Sequence, residues 1–192
     1  FRQAGRWIMT GIPPHVAIRL KNNFPRIPKY ETSAFSFVDS DELCADLDWF
    51  IRRYPMDLSD ADAAHLRRSR AHFEEQRNTI EEIMLPTWQP PTRYGFKPGV
   101  SLYQGQAQAV EILHRLNRLL IADDVGLGKT HCALGAVAGS GFLPAAVIAP
   151  THLPTQWLRE FIQPYTYMSG HIIDGTRPYD LPPANIYLFK YS

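Results

Sequence analysis

The sequence predicts an α/β protein in which a parallel sheet with helices on both faces follows a small α+β module. In the second half of the chain, short apolar runs of strand length alternate with segments whose apolar residues recur at helical spacing. Buried strands that alternate with helices form parallel sheets covered on both sides. Residues 86–100 hold four prolines and two glycines, a composition typical of a boundary. We therefore expect an accessory module at residues 1–85, a proline-rich connector at 86–100 and the sheet-forming domain at 101–192.

The accessory module is predicted to contain two strands and three helices. The strands cover residues 6–9 and 34–38, and the helices cover residues 15–24, 39–54 and 59–85. Asp39, with Glu42 three residues later, resembles a capping box at the start of the second helix. Ser59, with Asp62 three residues later, opens the third helix. In the second helix we expect Trp49 to belong to a stripe of core residues.

The sheet-forming domain is predicted to alternate between helices and strands. Ala109, Ile112, Leu113 and Leu116 recur at helical spacing and indicate the first helix. The remaining strands are predicted over residues 118–122, 145–149, 171–174 and 186–189, and the remaining helices over residues 129–138 and 153–162. A glycine-rich turn joins the first of these strands to the helix that follows it.

The composition of the chain excludes several classes of protein. Of its 192 residues, 45% are hydrophobic, which is enough for a packed core and unlike a disordered sequence. The net charge is only +1, so any nucleic-acid contact must come from local groups rather than from a global positive field. Cys44 and Cys132 give no disulfide framework, which favours a cytoplasmic location. No apolar run approaches the roughly 20 residues that span a bilayer, and no signal peptide opens the chain.

The stretch IADDVGLGKTHCAL, residues 121–134, has the composition of an anion site. Gly126 and Gly128 allow backbone conformations that other residues avoid and let the chain approach a ligand closely. The first amides of the following helix lack partners within the helix and point at the turn, where they attract anions. Lys129 can reach the β- and γ-phosphates of a nucleoside triphosphate, and Thr130 offers a hydroxyl to Mg²⁺. A tight strand–helix turn with an exposed lysine is the structural alternative.

Residues 101–192 as a whole resemble the first lobe of the Swi/Snf-type helicase-like ATPases, within the second helicase superfamily. LYQ, at residues 102–104, looks like the adenine-reading L-x-x-Y-Q segment of that family. ADDVGLGKT, at residues 122–130, is similar to its A-D-E-M-G-L-G-K-T phosphate loop. Asp124 and Val125 stand where the family usually has Glu and Met. The absence of the first glycine of G-x-x-x-x-G-K-[ST] is thus a trait of the family.

The resemblance continues after the phosphate loop. VIAPTHLPTQWLREF, at residues 147–161, resembles a strand followed by the family's P-x-S-L-x-x-Q-W-x-x-E-F helix, with His152 in place of the common Ser. Tyr191 is a weaker match to a later segment. The Q-W-x-x-E-F helix makes the resemblance more specific to this family, because G-L-G-K-T alone occurs in many P-loop ATPases. Residues 1–85 look like an accessory module that precedes the motor in some phage and bacterial members.

The resemblance implies a RecA-like lobe that binds ATP and Mg²⁺, in a parent protein that moves along double-stranded DNA. The implied nucleotide-binding residues are Gln104, Asp124, Val125, Gly126, Leu127, Gly128, Lys129 and Thr130. Among them Lys129 is the implied catalytic residue and Thr130 is the implied neighbour of the metal. The implied contacts to DNA phosphates are Pro150, Thr151 and His152, which position a duplex without reading its sequence.

The family's D-E-x-H box and its second RecA-like lobe with an arginine finger do not occur in this sequence. Phosphoryl transfer needs several charge-neutralising elements at once, so the chain by itself should hydrolyse little ATP. Because the chain begins with Phe1 and stops at Ser192 just after an apolar run, we expect it to be part of a longer protein. Two alternative functions stay open. One is a non-hydrolysing nucleotide- or DNA-binding module, and the other is the motor subunit of a restriction system.

Several residues near these motifs are expected to have structural roles. We expect His131 and Cys132 to pack against neighbouring side chains rather than to bind a metal. Trp157 is expected to anchor its helix to the sheet rather than to stack on a base. His65 and His72 lie two helical turns apart, which is too far to share a metal, and the rest of a zinc set is missing.

Overall fold

The computed structural model describes residues 1–28, 30–91, 95–139, 141–175, 177 and 179–191. The chain divides into two compact units, Phe1–Asn78 and Thr79–Ser192, which we call the N-terminal unit and the C-terminal unit. The first contains an antiparallel sheet and the second a parallel sheet. The domain limits predicted after residues 85 and 100 stay a prediction. None of the described helices combines the length and hydrophobicity that a membrane span requires.

The N-terminal unit contains three helices and a three-stranded sheet with strand order β1-β2-β3. Its elements are β1 (Arg2–Gln3), β2 (Arg6–Thr10), α1 (Pro14–Asn23), β3 (Ala34–Val38), α2 (Asp41–Arg53) and α3 (Asp60–Ile83), of which α3 runs past residue 78. Alternate residues of β2 and β3 are buried, so that Trp7 pairs with Phe37 and Met9 with Phe35 on the core face. The two predicted strands and three predicted helices are confirmed, and β1 is an addition.

The N-terminal cap of α2 differs from the predicted one. Ser40 caps the helix, since the backbone N–H of Leu43 donates to its Oγ at 3.2 Å. The predicted cap, Asp39, instead directs its carboxylate to side chains of other elements and accepts hydrogen bonds from Trp7 and His65. A carboxylate with such partners is not available to the free amides at the start of α2.

Side-chain predictions for α2 and α3 have mixed outcomes. Trp49 was predicted to lie in the core but is 61% exposed. Leu47 and Phe50 are fully buried and take the core-facing positions of α2, which leaves Trp49 on the solvent side. The predicted start of α3 is confirmed, because the backbone N–H of Asp62 donates to Ser59 Oγ at 3.1 Å.

The C-terminal unit contains a parallel sheet with strand order β4-β6-β5. Its elements are α4 (Gln104–Leu116), α5 (Lys129–Ala138), β4 (Ala145–Pro150), α6 (Leu153–Gln156), a π-helical segment (Trp157–Ile162), α7 (Gln163–Tyr165), β5 (Gly170–Ile172) and β6 (Ile186–Tyr191). We call α6, the π-helical segment and α7 together the composite helix. The core of the unit forms where Leu134 of α5 and Ile162 of the composite helix pack with Ile186 and Leu188 of β6.

Helices cover one face of this sheet rather than both. Val147 of β4 and Leu188 of β6 are register partners on the packed face. The opposite face presents Ile148 at 71% exposure and Phe189 at 37% exposure. The prediction of helices on both faces is therefore wrong for the part of the chain that the structure describes, because these apolar side chains remain in solvent.

The strand predicted over residues 118–122 does not form. The preceding helix ends at Asn117, whose φ of 58° closes α4 in the left-handed conformation. Leu119 is 39% exposed and Leu120 is 87% exposed, and this segment belongs to neither of the two sheets of the described residues. A strand persists only where a neighbour satisfies its backbone hydrogen bonds. The apolar run therefore leads into the glycine turn as irregular chain.

Candidate nucleotide-binding site

The glycine turn has the backbone conformation that its sequence predicts. Gly126 has a φ of 95° and Gly128 a φ of 78°, both in the left-handed region that favours glycine. Gly128 is also the N-terminal cap of α5, which begins at Lys129 as predicted. Its carbonyl accepts a hydrogen bond from the amide of His131 at 2.9 Å. The amides of the first turn that precede His131 have no acceptor within the helix.

The side chain of Lys129 folds back into the turn. Its Nζ donates hydrogen bonds to the backbone carbonyls of Asp123 and Asp124, both at 2.8 Å. The turn therefore curls around an ammonium group. Because the same turn leads into the N-terminus of α5, the lysine charge and the positive end of the helix dipole act on one short segment of chain.

The turn is open to solvent along its length. Val125 is 99% exposed and Leu127 is 58% exposed, and Asp124 is exposed as well. Thr130, the second residue of α5, is half-buried. Because these residues are exposed, the turn is accessible to a ligand from outside.

A residue that sequence analysis missed, Gln106, connects α4 to the turn. Its Nε2 donates to the carbonyl of Leu127 at 3.0 Å, and its Oε1 accepts from the backbone N–H of Tyr103 at 3.1 Å. A Cβ atom added to Gly128 would lie 2.4 Å from this Nε2, so the amide packs directly on the turn. The pattern that could have revealed Gln106 is a glutamine at the third position of a helix, where it reaches back to the cap.

The predicted adenine reader, Gln104, has a different partner. Its Nε2 donates to the carbonyl of Pro86 at 2.9 Å, and the residue is exposed. Its neighbour Tyr103 is 81% exposed. Both residues are accessible at the start of α4, but the described hydrogen bonds connect the turn to Gln106 and not to Gln104.

The residues beside the lysine pack as predicted. The ring of His131 lies 5.5 Å from that of Phe161 and 5.1 Å from that of Tyr165, both in the composite helix. Cys132 is buried, and its burial raises the pKa of the thiol. Trp157 is half-buried and packs on the core of the C-terminal unit, as expected of a helix anchor. The ring contacts of His131 thus join α5 to the composite helix.

The predicted DNA-contacting residues lie at the carboxyl end of β4. Pro150 is the last residue of this strand, and Thr151 and His152 are exposed in the turn that leads into α6. Among the described residues, no hydrogen bond connects this turn to the glycine turn. These three residues are consecutive in the chain and share the turn at the carboxyl end of β4.

A scan against models of protein families finds no match to the chain, and a search of curated proteins finds none either.

Proposed function

We propose that the glycine turn binds ATP with Mg²⁺ and that the chain is the nucleotide-binding lobe of a Swi/Snf-like, RecA-type motor that moves on double-stranded DNA. The observation that carries the proposal is the turn itself. Two glycines with positive φ lead into the N-terminus of a ten-residue helix, and Lys129 lies within the curl. This combination of free amides, close backbone approach and one cation is what the phosphates of a nucleotide require.

In this proposal each residue of the turn has a defined role. The amides at the start of α5 bind phosphate oxygens. Lys129 exchanges the carbonyls of Asp123 and Asp124 for the β- and γ-phosphates, where its charge has greater effect. Thr130 would offer its hydroxyl to Mg²⁺, which when bound would supply positive charge that neutralises the phosphates. Gln104 leaves Pro86 to pair with adenine, since an amide can donate and accept at once.

The direct test measures binding before hydrolysis. ATP with Mg²⁺ is titrated into the 192-residue chain, and ATP hydrolysis is measured for the complete natural polypeptide with and without duplex DNA. Saturable ATP binding with DNA-stimulated hydrolysis supports the motor. ATP binding without hydrolysis in the complete protein would support the non-hydrolysing module, and the absence of ATP binding would overturn the proposal.

Substitutions at Gly126 and Gly128 should distinguish the effect of backbone strain from the effect of a steric clash with Gln106. Gly126→Ala and Gly128→Ala each force alanine into the left-handed region, which costs about 1–2 kcal/mol and should weaken ATP binding about tenfold. Gly128→Ala should weaken it further, because the new Cβ displaces the Gln106 amide that lies 2.4 Å away. We expect the extra loss to disappear in a Gln106→Ala background when ATP affinity is measured by equilibrium dialysis. Equal losses of ATP affinity for the two glycine substitutions would contradict the packing of the Gln106 amide on Gly128.

Substitution of the turn after β4 should affect DNA and not ATP. In the complete protein, Thr151→Ala with His152→Ala should raise the DNA concentration that half-saturates ATP hydrolysis about fivefold to tenfold, since hydrogen bonds to phosphate are lost. The ATP concentration at half-saturation should stay within twofold. The matched control is Thr155→Ala, an exposed threonine in α6. If the control has the same effect, these residues are not the DNA contact.

A further inference from the structure

Three side chains with metal-binding donor atoms meet in the N-terminal unit. Asp39 follows β3, Cys44 lies in α2 and His65 lies in α3. In the described part of the chain, their donor atoms lie within 4.8 Å of one another. Cys44 Sγ is 3.3 Å from Asp39 Oδ1, and His65 Nε2 is 3.1 Å from the same oxygen. The set combines one sulfur, one nitrogen and one oxygen donor.

Two of the three donor separations are close to the edges of a tetrahedral zinc site. Zinc bonds of about 2.3 Å to sulfur and about 2.0–2.1 Å to nitrogen and oxygen place neighbouring donor atoms about 3.3–3.6 Å apart. The two separations that involve Asp39 are already close to this range. An ion bound by all three donors would require shifts of only a few tenths of an ångström along these two edges. The third edge, between Cys44 Sγ and His65 Nε2, lies within 4.8 Å and sets the remaining adjustment.

The charges of the cluster suit a divalent cation. A Cys44 thiolate and the Asp39 carboxylate together neutralise a 2+ ion, and His65 binds as the neutral ring. A neutral centre is the arrangement that a half-buried site tolerates best. Cys44 is fully buried, whereas the side chains of Asp39 and His65 are 17% and 22% exposed. An ion can therefore enter from the Asp39 and His65 side.

The carboxylate of Asp39 already has outer hydrogen-bond donors. Trp7 Nε1 donates to its Oδ1 at 2.8 Å, and Arg2 Nη1 donates to its Oδ2 at 3.4 Å. Arg2 also pairs with Asp62 at 3.2 Å, which offsets its positive charge near the cluster. Metal-binding carboxylates are typically oriented by such partners, which fix the lone pairs that face the ion.

We propose that Asp39, Cys44 and His65 form a binding site for a zinc-class divalent cation that links β3, α2 and α3. The three protein ligands occupy three tetrahedral positions, and water occupies the fourth on the exposed side. Binding releases the proton of the Cys44 thiol, which now donates to Asp39, to solvent. The proton on His65 Nε2, which now also points at Asp39, moves to Nδ1, so that the neutral ring offers Nε2 to the ion. This site is independent of the nucleotide site proposed above and uses residues of the N-terminal unit alone.

The test is a titration of the metal-free protein with Co²⁺, followed by competition with Zn²⁺. We expect one equivalent of Co²⁺ to bind with a thiolate-to-cobalt charge-transfer absorption, Zn²⁺ to displace it, and the thermal unfolding midpoint to rise with either metal. Cys44→Ala should abolish the absorption, and His65→Gln should lower Co²⁺ affinity at least about 100-fold. Absence of the absorption in the wild-type protein overturns the proposal, whatever the stability of the variants.

Matched controls exist for both variants. Cys132→Ala removes the other buried cysteine. His72→Gln removes a histidine of the same helix that contacts Asp41 instead. Both controls should leave Co²⁺ binding within twofold of wild type. If Cys44→Ala and His65→Gln bind Co²⁺ as tightly as the controls do, the three side chains form hydrogen bonds with one another but no metal site. The proposal is then wrong.

Discussion

Lys129→Ala is expected to lower the affinity of the chain for ATP about 100-fold, because each charge-assisted hydrogen bond to phosphate contributes about 1.5–3 kcal/mol. ATP hydrolysis by the complete protein should fall by about 10²–10³-fold or more, since the same charge also stabilises the transition state. The free protein should stay folded, because within the described residues the side-chain hydrogen bonds of this lysine go to two carbonyls of an exposed loop. The measurements are equilibrium dialysis with ATP and a phosphate-release assay.

The matched control for this variant is Lys190→Ala. Lys190 belongs to the same unit but pairs its ammonium with Asp174 at 2.8 Å. We expect ATP affinity within twofold of wild type for this control. Near wild-type ATP hydrolysis by Lys129→Ala would refute the nucleotide site, since no other part of the turn carries a positive side chain.

Gly95→Ala is expected to destabilise the C-terminal unit by about 3 kcal/mol or more, at the upper end of what overpacking costs. A Cβ on Gly95 would lie 2.1 Å from the carbonyl oxygen of Ala138 and 2.9 Å from its carbon. Both are backbone atoms at the end of α5, so relief requires movement of the helix rather than rotation of a side chain. Urea unfolding, followed by circular dichroism, should show a lower midpoint with an unchanged slope.

Gly105→Ala provides the control for that substitution. Gly105 lies in the first turn of α4, and a Cβ there meets nothing within 4 Å. Alanine should raise stability by up to about 1 kcal/mol, because glycine disfavours helices. If Gly95→Ala and Gly105→Ala have similar midpoints, the chain around Gly95 does not approach α5 in solution.

Local chemistry explains which elements were predictable from the sequence. The start of α5 at Lys129 follows from Gly128, whose left-handed conformation is local to the glycine turn and whose carbonyl accepts the first hydrogen bond of the helix. β2 and β3 follow from alternation over five residues each. The missing strand at residues 118–122 and the uncovered sheet face depend on partners elsewhere in the chain. Periodicity gives no information about such partners.

The difference between local and long-range information also applies to the candidate functional residues. The glycine turn is one contiguous motif, so its residues could be predicted together. Gln106 is 21 positions from Leu127, and His65 is 26 positions from Asp39. These contacts exist only after helices pack. The spacing of His65 and His72 along α3 carries no information about Asp39, the partner of His65 on another element.

The exposed side of the small parallel sheet has a practical consequence for the purified chain. β4 is an end strand in the described sheet, and Ile148 beside its open edge faces water together with Phe189. Unpaired edges next to apolar patches template intermolecular β-pairing. We therefore expect turbidity and oligomers to increase with protein concentration and with kosmotropic salt. Light scattering should be measured during every titration, so that aggregation of the protein is not mistaken for weak binding.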